Sequence, residues 1–347
     1  KILLNSLYGV LGLPAFRFYD VDNATAVTTT GQTVIKSTAD MANIKYNKEL
    51  GDSTLDSNIY IDTDSVFFSA VPLLDKRIPN WKDNEQDTIA GYVNDIAEEM
   101  QDYLNGFYDI LSKKVFNVDK DKHRFEIKKE YVSKSGIWIA KKRYAQWIIS
   151  DNGVAVDKLD VKGLDVVRSS YPAAFRKFMS EVLIDILKGN TENELTDKIW
   201  GFKKGLSEMN VVQIAKNTSV KNLTKYLPKG KQQRMFQFKL GTPAHVKAAI
   251  AFNQLLSHYK CEMKYEPMRN GDKVKWVYLK QNPLGLDGVA FKGYDDPKEI
   301  MELVNTYIDY DKIFERELLK KLEDFYNAMD WGEVLSSTKI AEKFFSF

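Results

Sequence analysis

Two short hydrophobic runs around a polar turn place the strongest constraint on the fold of this 347-residue chain. The runs are Ile59–Ile61 and Val66–Phe68, and the four residues between them read Asp-Thr-Asp-Ser. Short runs rich in β-branched and aromatic residues on either side of such a turn predict a β-hairpin. The hairpin is expected to carry Asp62 and Asp64 at its tip.

Helical periodicity is present on both sides of the hairpin. Apolar and small residues recur at helical spacing from about residue 22 to residue 50, where Gly51 is expected to end the helix. A second helix is expected at about 84–113, followed by strands around 124–132 and 137–149. This order predicts an α+β fold, with an antiparallel sheet and packed helices, up to about residue 160.

The later part of the chain is mostly helical in pattern, with one strand-like segment around 273–279. The expected helices lie at about 172–188, 192–209, 243–259, 297–307 and 312–329. The change in pattern predicts a boundary between two structural regions near residue 160.

The composition is that of a folded protein, with 44% hydrophobic and 28% charged residues and a formal charge of only +2. Cys261 is the single cysteine, which excludes an internal disulfide and fits a reducing compartment such as the cytoplasm. No apolar run approaches the ~18 residues of a membrane span, and the N-terminal residues do not show the basic, then apolar, then small pattern of a signal peptide. Because the chain does not begin with Met, Lys1 is not expected to be a natural start.

Asp62 and Asp64 are candidate ligands for metal ions. Phosphoryl-transfer enzymes often hold two Mg²⁺ ions about 4 Å apart, and carboxylates are the hard oxygen ligands that these ions prefer. An exposed hairpin whose turn merely contains Asp is the simpler alternative. Sugar-nucleotide transferases also use a metal-binding Asp-x-Asp, so the motif alone leaves the substrate open.

The first nine residues place Lys1, Asn5 and Tyr8 on one face of an expected helix. A cation, an amide and a flat aromatic ring are suitable groups for binding a nucleoside triphosphate. An ordinary amphipathic helix end, with Lys in solvent and Tyr half buried, fits the same pattern.

Residues 141–144 read Lys-Lys-Arg-Tyr within the strand expected at 137–149. Strand alternation would place Lys142 and Tyr144 on one face and Lys141 and Arg143 on the other. Three adjacent cations favour an anionic partner such as a nucleic acid backbone. The alternative is an exposed edge strand that carries Lys as protection against aggregation.

No acidic residue occurs between Glu208 and Glu262. That stretch contains Lys216, Lys221, Lys225, Lys229, Lys231, Arg234, Lys239, Lys247 and Lys260. It predicts a local basic surface that binds phosphates in a salt-dependent manner, although a solvated charged face is the usual reading of such runs. The chain ends with Phe344, Phe345 and Phe347, which suit either docking into a groove of a partner or packing back on the same domain.

Taken together, these stretches resemble the family B DNA polymerases, in particular those of T-even-type bacteriophages. Residues 1–9 are similar to the Kx₃NSxYG motif, 60–65 to YxDTDS and 141–144 to KKRY. Ile61 occupies the position at which many members have Gly. Residues 162–170 resemble the segment that leads into the thumb, and the Phe-rich end resembles a sliding-clamp tail.

The resemblance implies a role for each matching residue. Asp64 is expected to bind two Mg²⁺ ions, with Asp62 as a weaker ligand, and Lys1 to contact the triphosphate of the incoming dNTP. Asn5 and Tyr8 are expected to line the pocket of the nascent base pair, where Gly9 permits close packing. The residues expected to contact primer–template DNA are Lys141, Lys142, Arg143, Tyr144, Lys162 and Arg168.

The resemblance also implies a domain organisation, namely the end of the fingers helix at 1–12, palm at 13–160, thumb at 161–335 and clamp-binding tail at 336–347. The second essential aspartate and the exonuclease domain of the family lie upstream of its Kx₃NSxYG motif. The chain alone is therefore expected to be an incomplete DNA polymerase with little activity, whose partners are the upstream half, DNA and a sliding clamp. If it is phage-encoded, it would act in the host cytoplasm. The alternatives are a sugar-nucleotide transferase and a non-catalytic module that binds DNA or a clamp.

Overall fold

The computed structural model describes residue 6, residues 9–227 and residues 235–334. Contacts divide the chain into two compact units. The first contains the residues up to Lys134 together with Trp147–Leu159, and the second contains Ser135–Gln146 and the residues from Asp160 onward. The palm and thumb boundaries expected from the sequence stay a prediction. None of the helices in the described ranges is long and apolar enough to cross a membrane.

The first unit begins with the long helix α1 (Val21–Leu50), as the periodicity predicts. The side chain of Asp20 caps its N-terminus by accepting a hydrogen bond from the backbone N–H of Asn23. Gly51 ends the helix in the left-handed conformation at φ 76°, which glycine adopts without the steric cost of a Cβ atom.

The predicted hairpin follows α1. Strands β1 (Asn58–Asp62) and β2 (Ser65–Phe68) pair in antiparallel fashion, with Asp62 opposite Ser65. The register shifts at Ile59, because Asn58 pairs with Phe68 whereas Tyr60 pairs with Phe67. Helix α2 (Val71–Arg77), which the sequence pattern does not predict, and helix α3 (Gln86–Phe116), which it does, complete this part of the unit.

One hydrophobic core joins the helices and the hairpin of the first unit. Its buried members come from α1, α2 and α3, and Phe68 of the hairpin packs against them. They are Ala42, Tyr46, Leu73, Leu74, Ile96, Met100 and Leu104. Burial of this apolar surface fixes the hairpin on the helices and so gives its tip a rigid base.

Three strands form the next sheet in the order β3 (Tyr131–Ala140), β4 (Arg143–Asp151) and β5 (Val154–Lys162). The prediction of one strand over 137–149 is wrong, because the chain turns at Lys141–Lys142 and reverses into β4. Residues 124–130 lie outside any strand, and β5 was not predicted. Asn152 and Gly153 form the turn between β4 and β5.

The second unit is mostly helical, as expected. Its longer helices include α4 (Ala173–Lys188), α5 (Glu192–Gly205), α8 (Ala244–His258) and α9 (Lys298–Tyr307). Two single-turn helices, α6 (Val211–Ile214) and α7 (Leu223–Tyr226), flank strand β6 (Lys216–Ser219). Strand β6 pairs with β7 (Lys273–Tyr278), which pairs with β8 (Gly288–Phe291), both in antiparallel fashion. The core lies where α8 packs against β8, and Phe252, Ala290 and Phe291 are fully buried there.

The last helical segment contains a π-helical turn. It runs as α10 (Tyr310–Phe314), the π turn Glu315–Leu319 and α11 (Lys320–Ala328). Glu317 in the π turn is 3% exposed, and its carboxylate pairs with Lys216 Nζ at 2.7 Å. The buried hydroxyl of Tyr171 donates a hydrogen bond to the carbonyl of Glu317. These two contacts fix the π turn to β6 and to the segment before α4.

Candidate functional site: a carboxylate turn and a cationic turn

The tip of the β1–β2 hairpin is held by hydrogen bonds among its own residues. The N–H of Asp64 donates to the carbonyl of Asp62, and the hydroxyl of Ser65 donates to the same carbonyl at 3.1 Å. The hydroxyl of Thr63 donates to the Asp62 carboxylate at 3.1 Å. Asp64 is exposed, whereas Asp62 is partly buried. The turn therefore presents two carboxylates two residues apart, with that of Asp64 directed to a solvent-accessible position.

Helix α1 holds the base of the hairpin. The side-chain amide of Asn58 donates to the carbonyl of Ala39 at 3.0 Å, and Asn43 accepts from the N–H of Ser57 at 3.0 Å. The ring of Tyr46 packs edge-on against Phe68, with the centroids 5.6 Å apart. The bulge at Ile59 is a local irregularity of a kind that is common near functional sites, where it redirects neighbouring side chains.

The carboxylate turn fits Mg²⁺ by the chemistry of its donors. Mg²⁺ is commonly bound by one or two carboxylates, while water and substrate phosphates supply the other oxygens. Within the described ranges, no group of three or more His, Cys, Asp or Glu residues could hold a metal ion. A metal ion at this turn would therefore take at most two ligands from Asp62 and Asp64, and the rest of its coordination sphere would come from solvent, substrate or other residues.

The nucleotide-binding residues expected near the start of the chain are described only in part. Lys1, Asn5 and Tyr8 lie outside the described residues. Gly9 is helical and exposed, and a Cβ atom placed on it would meet nothing within 4 Å. Its expected role in close packing around a base pair stays a prediction.

The second turn with charged residues joins β3 to β4 and consists of Lys141 and Lys142. Both side chains are exposed, and Lys142 adopts the left-handed conformation at φ 59°. The expected alternation of faces over residues 141–144 is wrong, because it assumes a continuous strand. The turn instead projects Lys141 and Lys142 from the end of the hairpin, while Arg143 and Tyr144 begin β4.

Tyr144 is packed inside the hairpin rather than presented on its surface. It is 4% exposed, and its ring stacks on Trp138 with an interplanar angle of 21°. Gly136 makes room for this stack, since a Cβ atom there would lie 2.4 Å from the indole ring of Trp138. A contact from Tyr144 to a nucleic acid can therefore involve only a small part of the side chain.

Arg143 forms an ion pair within the second unit. Its Nη2 atom lies 2.9 Å from Oδ2 of Asp324, a residue of α11. Both side chains are more than a third exposed, so the pair is open to solvent and to competing anions. The sequence offers no signal for this partner, because 181 residues separate the two.

Lys162 and Arg168 also have acidic partners nearby. Lys162 Nζ lies 3.1 Å from Asp160, and Arg168 Nη1 lies 2.9 Å from Asp165. Asp165 binds a second cation as well, because Nζ of Lys321 lies 2.6 Å from its other oxygen. The side chains of Lys162 and Arg168 are more than half exposed, whereas those of their acidic partners are mostly buried, so the two cations remain accessible at the surface.

The stretch without acidic residues, 209–261, forms an exposed basic surface only in part. Lys216 is used in the ion pair with Glu317, a residue more distant in sequence. Lys221, Lys225, Lys239 and Lys260 are exposed. Lys229, Lys231 and Arg234 lie outside the described residues, as do the expected clamp-binding residues Phe344, Phe345 and Phe347.

Comparison with known proteins identifies the family. The model of DNA polymerase family B matches residues 1–76 and 98–329. The chain is 29% identical over 97% of its length to a DNA-directed DNA polymerase of Enterobacteria phage T4, and 28% identical over 94% to that of Escherichia phage RB69. It is 25% identical over 89% of its length to the catalytic subunit of mouse DNA polymerase alpha.

The family match covers most of the chain, and the chain therefore belongs to DNA polymerase family B. It spans 37% of the T4 protein, 36% of the RB69 protein and 18% of the mouse protein. The resemblance of the sequence to family B, and to phage members in particular, is thus confirmed.

Proposed function

We propose that this chain is the C-terminal part of a template-directed DNA polymerase and contributes the carboxylate arm of its active site. The observation that carries the proposal is the position of Asp62 and Asp64 on a tight turn fixed to α1, in a chain of DNA polymerase family B. The relatives named DNA-directed DNA polymerase favour this function over sugar-nucleotide transfer.

The reaction is attack of a primer 3′-hydroxyl on the α-phosphate of a dNTP, with pyrophosphate as the leaving group. Asp64 would hold the Mg²⁺ ions with help from Asp62, and the ions, when bound, would supply Lewis-acid stabilisation of the charge that develops on the phosphate oxygens. Lys1 contacts the triphosphate, and Asn5, Tyr8 and Gly9 shape the pocket of the new base pair. Positioning accounts for much of the rate, because the protein forms no covalent bond with the substrate.

The cationic groups of the second unit hold the DNA. Lys141 and Lys142, on their exposed turn, contact phosphates of the primer, and Tyr144 supports that turn from within the hairpin. Arg143, Lys162 and Arg168 add positive charge beside it, and the Phe-rich end binds a sliding clamp. The other metal-binding aspartate comes from an upstream half, so the chain alone has little polymerase activity.

The first test is binding of the chain to a labelled primer–template duplex over a series of salt concentrations. We expect the affinity to fall steeply with salt, and Lys142→Ala to lower the steepness by about one unit in the slope of log K against log salt. Lys298→Ala is the matched control, because Lys298 is an exposed lysine of the same unit whose ion pair is with Glu302, four residues along the same helix. Absence of binding even at low salt would contradict a DNA-gripping role for this chain.

The second test concerns the carboxylates. We expect Mn²⁺ to bind the chain weakly, and Asp62→Asn and Asp64→Asn to lower the bound fraction measured by electron paramagnetic resonance. In an enzyme reassembled with an upstream half, the same variants are expected to lose nucleotide incorporation. Unchanged activity would instead favour a non-catalytic module that binds DNA or a clamp. Strong Mg²⁺-dependent incorporation by the pure chain would refute only the proposal that its active site is incomplete.

A further inference from the structure

The Lys141–Lys142 turn has a conformation that its own residues do not favour. Lys142 has φ 59°, a left-handed conformation that is sterically unfavourable for an L-residue with a Cβ atom. The turn contains neither Gly nor Asn, the residues that usually relieve this cost. A strained turn of this kind persists only where surrounding structure fixes it.

Gly163 is the first surrounding group, because the backbone of the turn approaches it too closely for any side chain to fit. It lies just after β5, and a Cβ atom built on it would be 1.9 Å from the carbonyl oxygen of Lys142 and 3.0 Å from its carbonyl carbon. Both atoms belong to the backbone, so neither can move aside by a change of rotamer. A side chain at position 163 therefore displaces the turn itself.

Asp324 is the second group. Its carboxylate pairs with Arg143 at 2.9 Å, at the residue where the turn enters β4. Gly163 thus contacts the turn at Lys142, and Asp324 holds the residue that follows. The two groups thus approach consecutive residues of the turn from two different parts of the second unit.

We propose that Gly163 and Asp324 are positioning residues that set the direction in which Lys141 and Lys142 present their ammonium groups to the DNA backbone. This inference rests on the proposed function of the turn as a phosphate contact. Neither residue touches DNA in this scheme. A small displacement of the backbone is enlarged at the end of a lysine side chain, so a shift at Lys142 moves its charge away from the phosphate.

The test compares Gly163→Ala with Gly285→Ala in primer–template binding over a salt series. Both glycines have φ 65°, so alanine has the same backbone cost at each position. A Cβ atom on Gly285 meets nothing within 4 Å, so only Gly163→Ala adds a close contact with the backbone of Lys142. We expect Gly163→Ala to weaken binding about tenfold at low salt and to lower the salt slope by about one unit, as Lys142→Ala does. Gly285→Ala is expected to leave both unchanged.

A double variant separates positioning from loss of stability. If Gly163 acts through Lys142, adding Lys142→Ala to Gly163→Ala is expected to lower the affinity for primer–template by less than about twofold. If the two residues act independently, their effects on affinity multiply. A wild-type salt slope in folded Gly163→Ala, or fully multiplicative effects, would overturn the role of Gly163. A Lys142→Ala variant that binds like the wild type would instead refute the phosphate contact in the proposed function.

Asp324→Asn gives an independent measurement that does not depend on the stability of Gly163→Ala. The pair is partly exposed, so the variant is expected to fold. We expect faster hydrogen–deuterium exchange in residues 140–144. Asp311→Asn is the control, because Asp311 lies in the same helical segment but pairs with Lys203 rather than with Arg143. Equal exchange in Asp324→Asn, Asp311→Asn and the wild type would overturn the role of Asp324.

Discussion

The carboxylate turn of the first unit and the cationic turn of the second unit are built on the same plan but fixed by different means. Each has two residues between adjacent strands, and each contains one non-glycine residue in the left-handed conformation, Thr63 at φ 52° and Lys142 at φ 59°. Hydrogen bonds among residues 62–65 hold the first. Contacts from Gly163 and Asp324 hold the second.

The difference shows that the geometry of two charged turns can differ in its sensitivity to substitutions elsewhere in the chain. A turn closed by its own side chains keeps its geometry as long as those residues are present. A turn held by distant residues is sensitive to substitutions that contact no ligand. We therefore expect functional effects at the carboxylate turn to come mainly from residues 62–65 and from the helix α1 that holds its base, and those at the cationic turn to extend to residues far away in sequence.

The largest expected effect is at Asp64. In an enzyme with a complete active site, Asp64→Asn is expected to lower the rate of incorporation by about a hundredfold to a thousandfold, because a charge that stabilises the transition state is lost. Asp83→Asn, which removes an exposed carboxylate elsewhere in the same unit, serves as the control. An equal loss in the two variants would mean that the carboxylate turn has no special role.

The next effect concerns stability at the cationic turn. We expect Gly163→Ala to lower the free energy of unfolding by about 2 kcal/mol more than Gly285→Ala, because only the former adds overpacking to the cost of positive φ. Urea unfolding of both variants measures the difference. Equal losses would show that the contact with Lys142 is relieved without cost, and the contrast between the two turns would then be weaker than proposed.

A smaller effect on stability is expected at the ion pairs of Arg77, which belong to the same unit as the carboxylate turn but not to the turn itself. Hydrogen bonds from Arg77 to Glu49 and Glu99 hold the pKa of each carboxyl below its ordinary value. A carboxyl whose pKa is lower in the folded than in the unfolded chain stabilises the fold at any pH above the unfolded pKa, which is about 4.3 for Glu. This stabilisation is lost as the pH falls from there through the folded pKa.

Arg77→Met is therefore expected to lower Tm at pH 7, with a difference from the wild type that shrinks as the pH falls below about 4. Thermal unfolding at several pH values tests this, and Mn²⁺ binding by the carboxylate turn is expected to stay unchanged. A constant difference in Tm between pH 7 and pH 3 would show that packing of Arg77, rather than its charge, stabilises the unit.

The smallest effect is expected for Thr63→Gly. Glycine relieves the positive φ at the turn but also increases the entropy of the unfolded chain, so the free energy of unfolding is expected to change by less than about 1 kcal/mol. The loss of the hydroxyl contact to Asp62 is a further small term. A larger change in chemical denaturation would mean that the carboxylate turn depends on Thr63 more than its local hydrogen bonds suggest.

The same distinction explains what the sequence could predict. The α1 helix, its end at Gly51 and the β1–β2 hairpin follow from local periodicity and turn chemistry, and the structure confirms them. The reversal at Lys141–Lys142 could not be read in this way, because neither residue is a usual turn former. The groups that approach it in the structure lie at positions 163 and 324, and no local pattern relates those positions to the turn.

The candidate site likewise contains features that the local sequence predicts and features that only the fold shows. Asp62 and Asp64 were recognised from their position between two strands, which is local information. The ion pairs of Arg143 with Asp324 and of Lys216 with Glu317 join residues more than a hundred positions apart. These ion pairs are evident only from the fold, which brings the elements together. Arg143 and Lys216 are therefore paired with acidic partners, unlike what the basic segments suggest in the sequence.

The π turn Glu315–Leu319 sets the phase of the helix that follows it. Each residue of an α-helix advances the side chains by about 100°, so the wider turn changes the direction in which Lys321 and Asp324 leave the helix axis. Those two residues hold Asp165 and Arg143. Deletion of one residue within the π turn would restore a regular helix and rotate both partners away together. The length of this segment, as well as its composition, is therefore part of the information that orients the cationic turn.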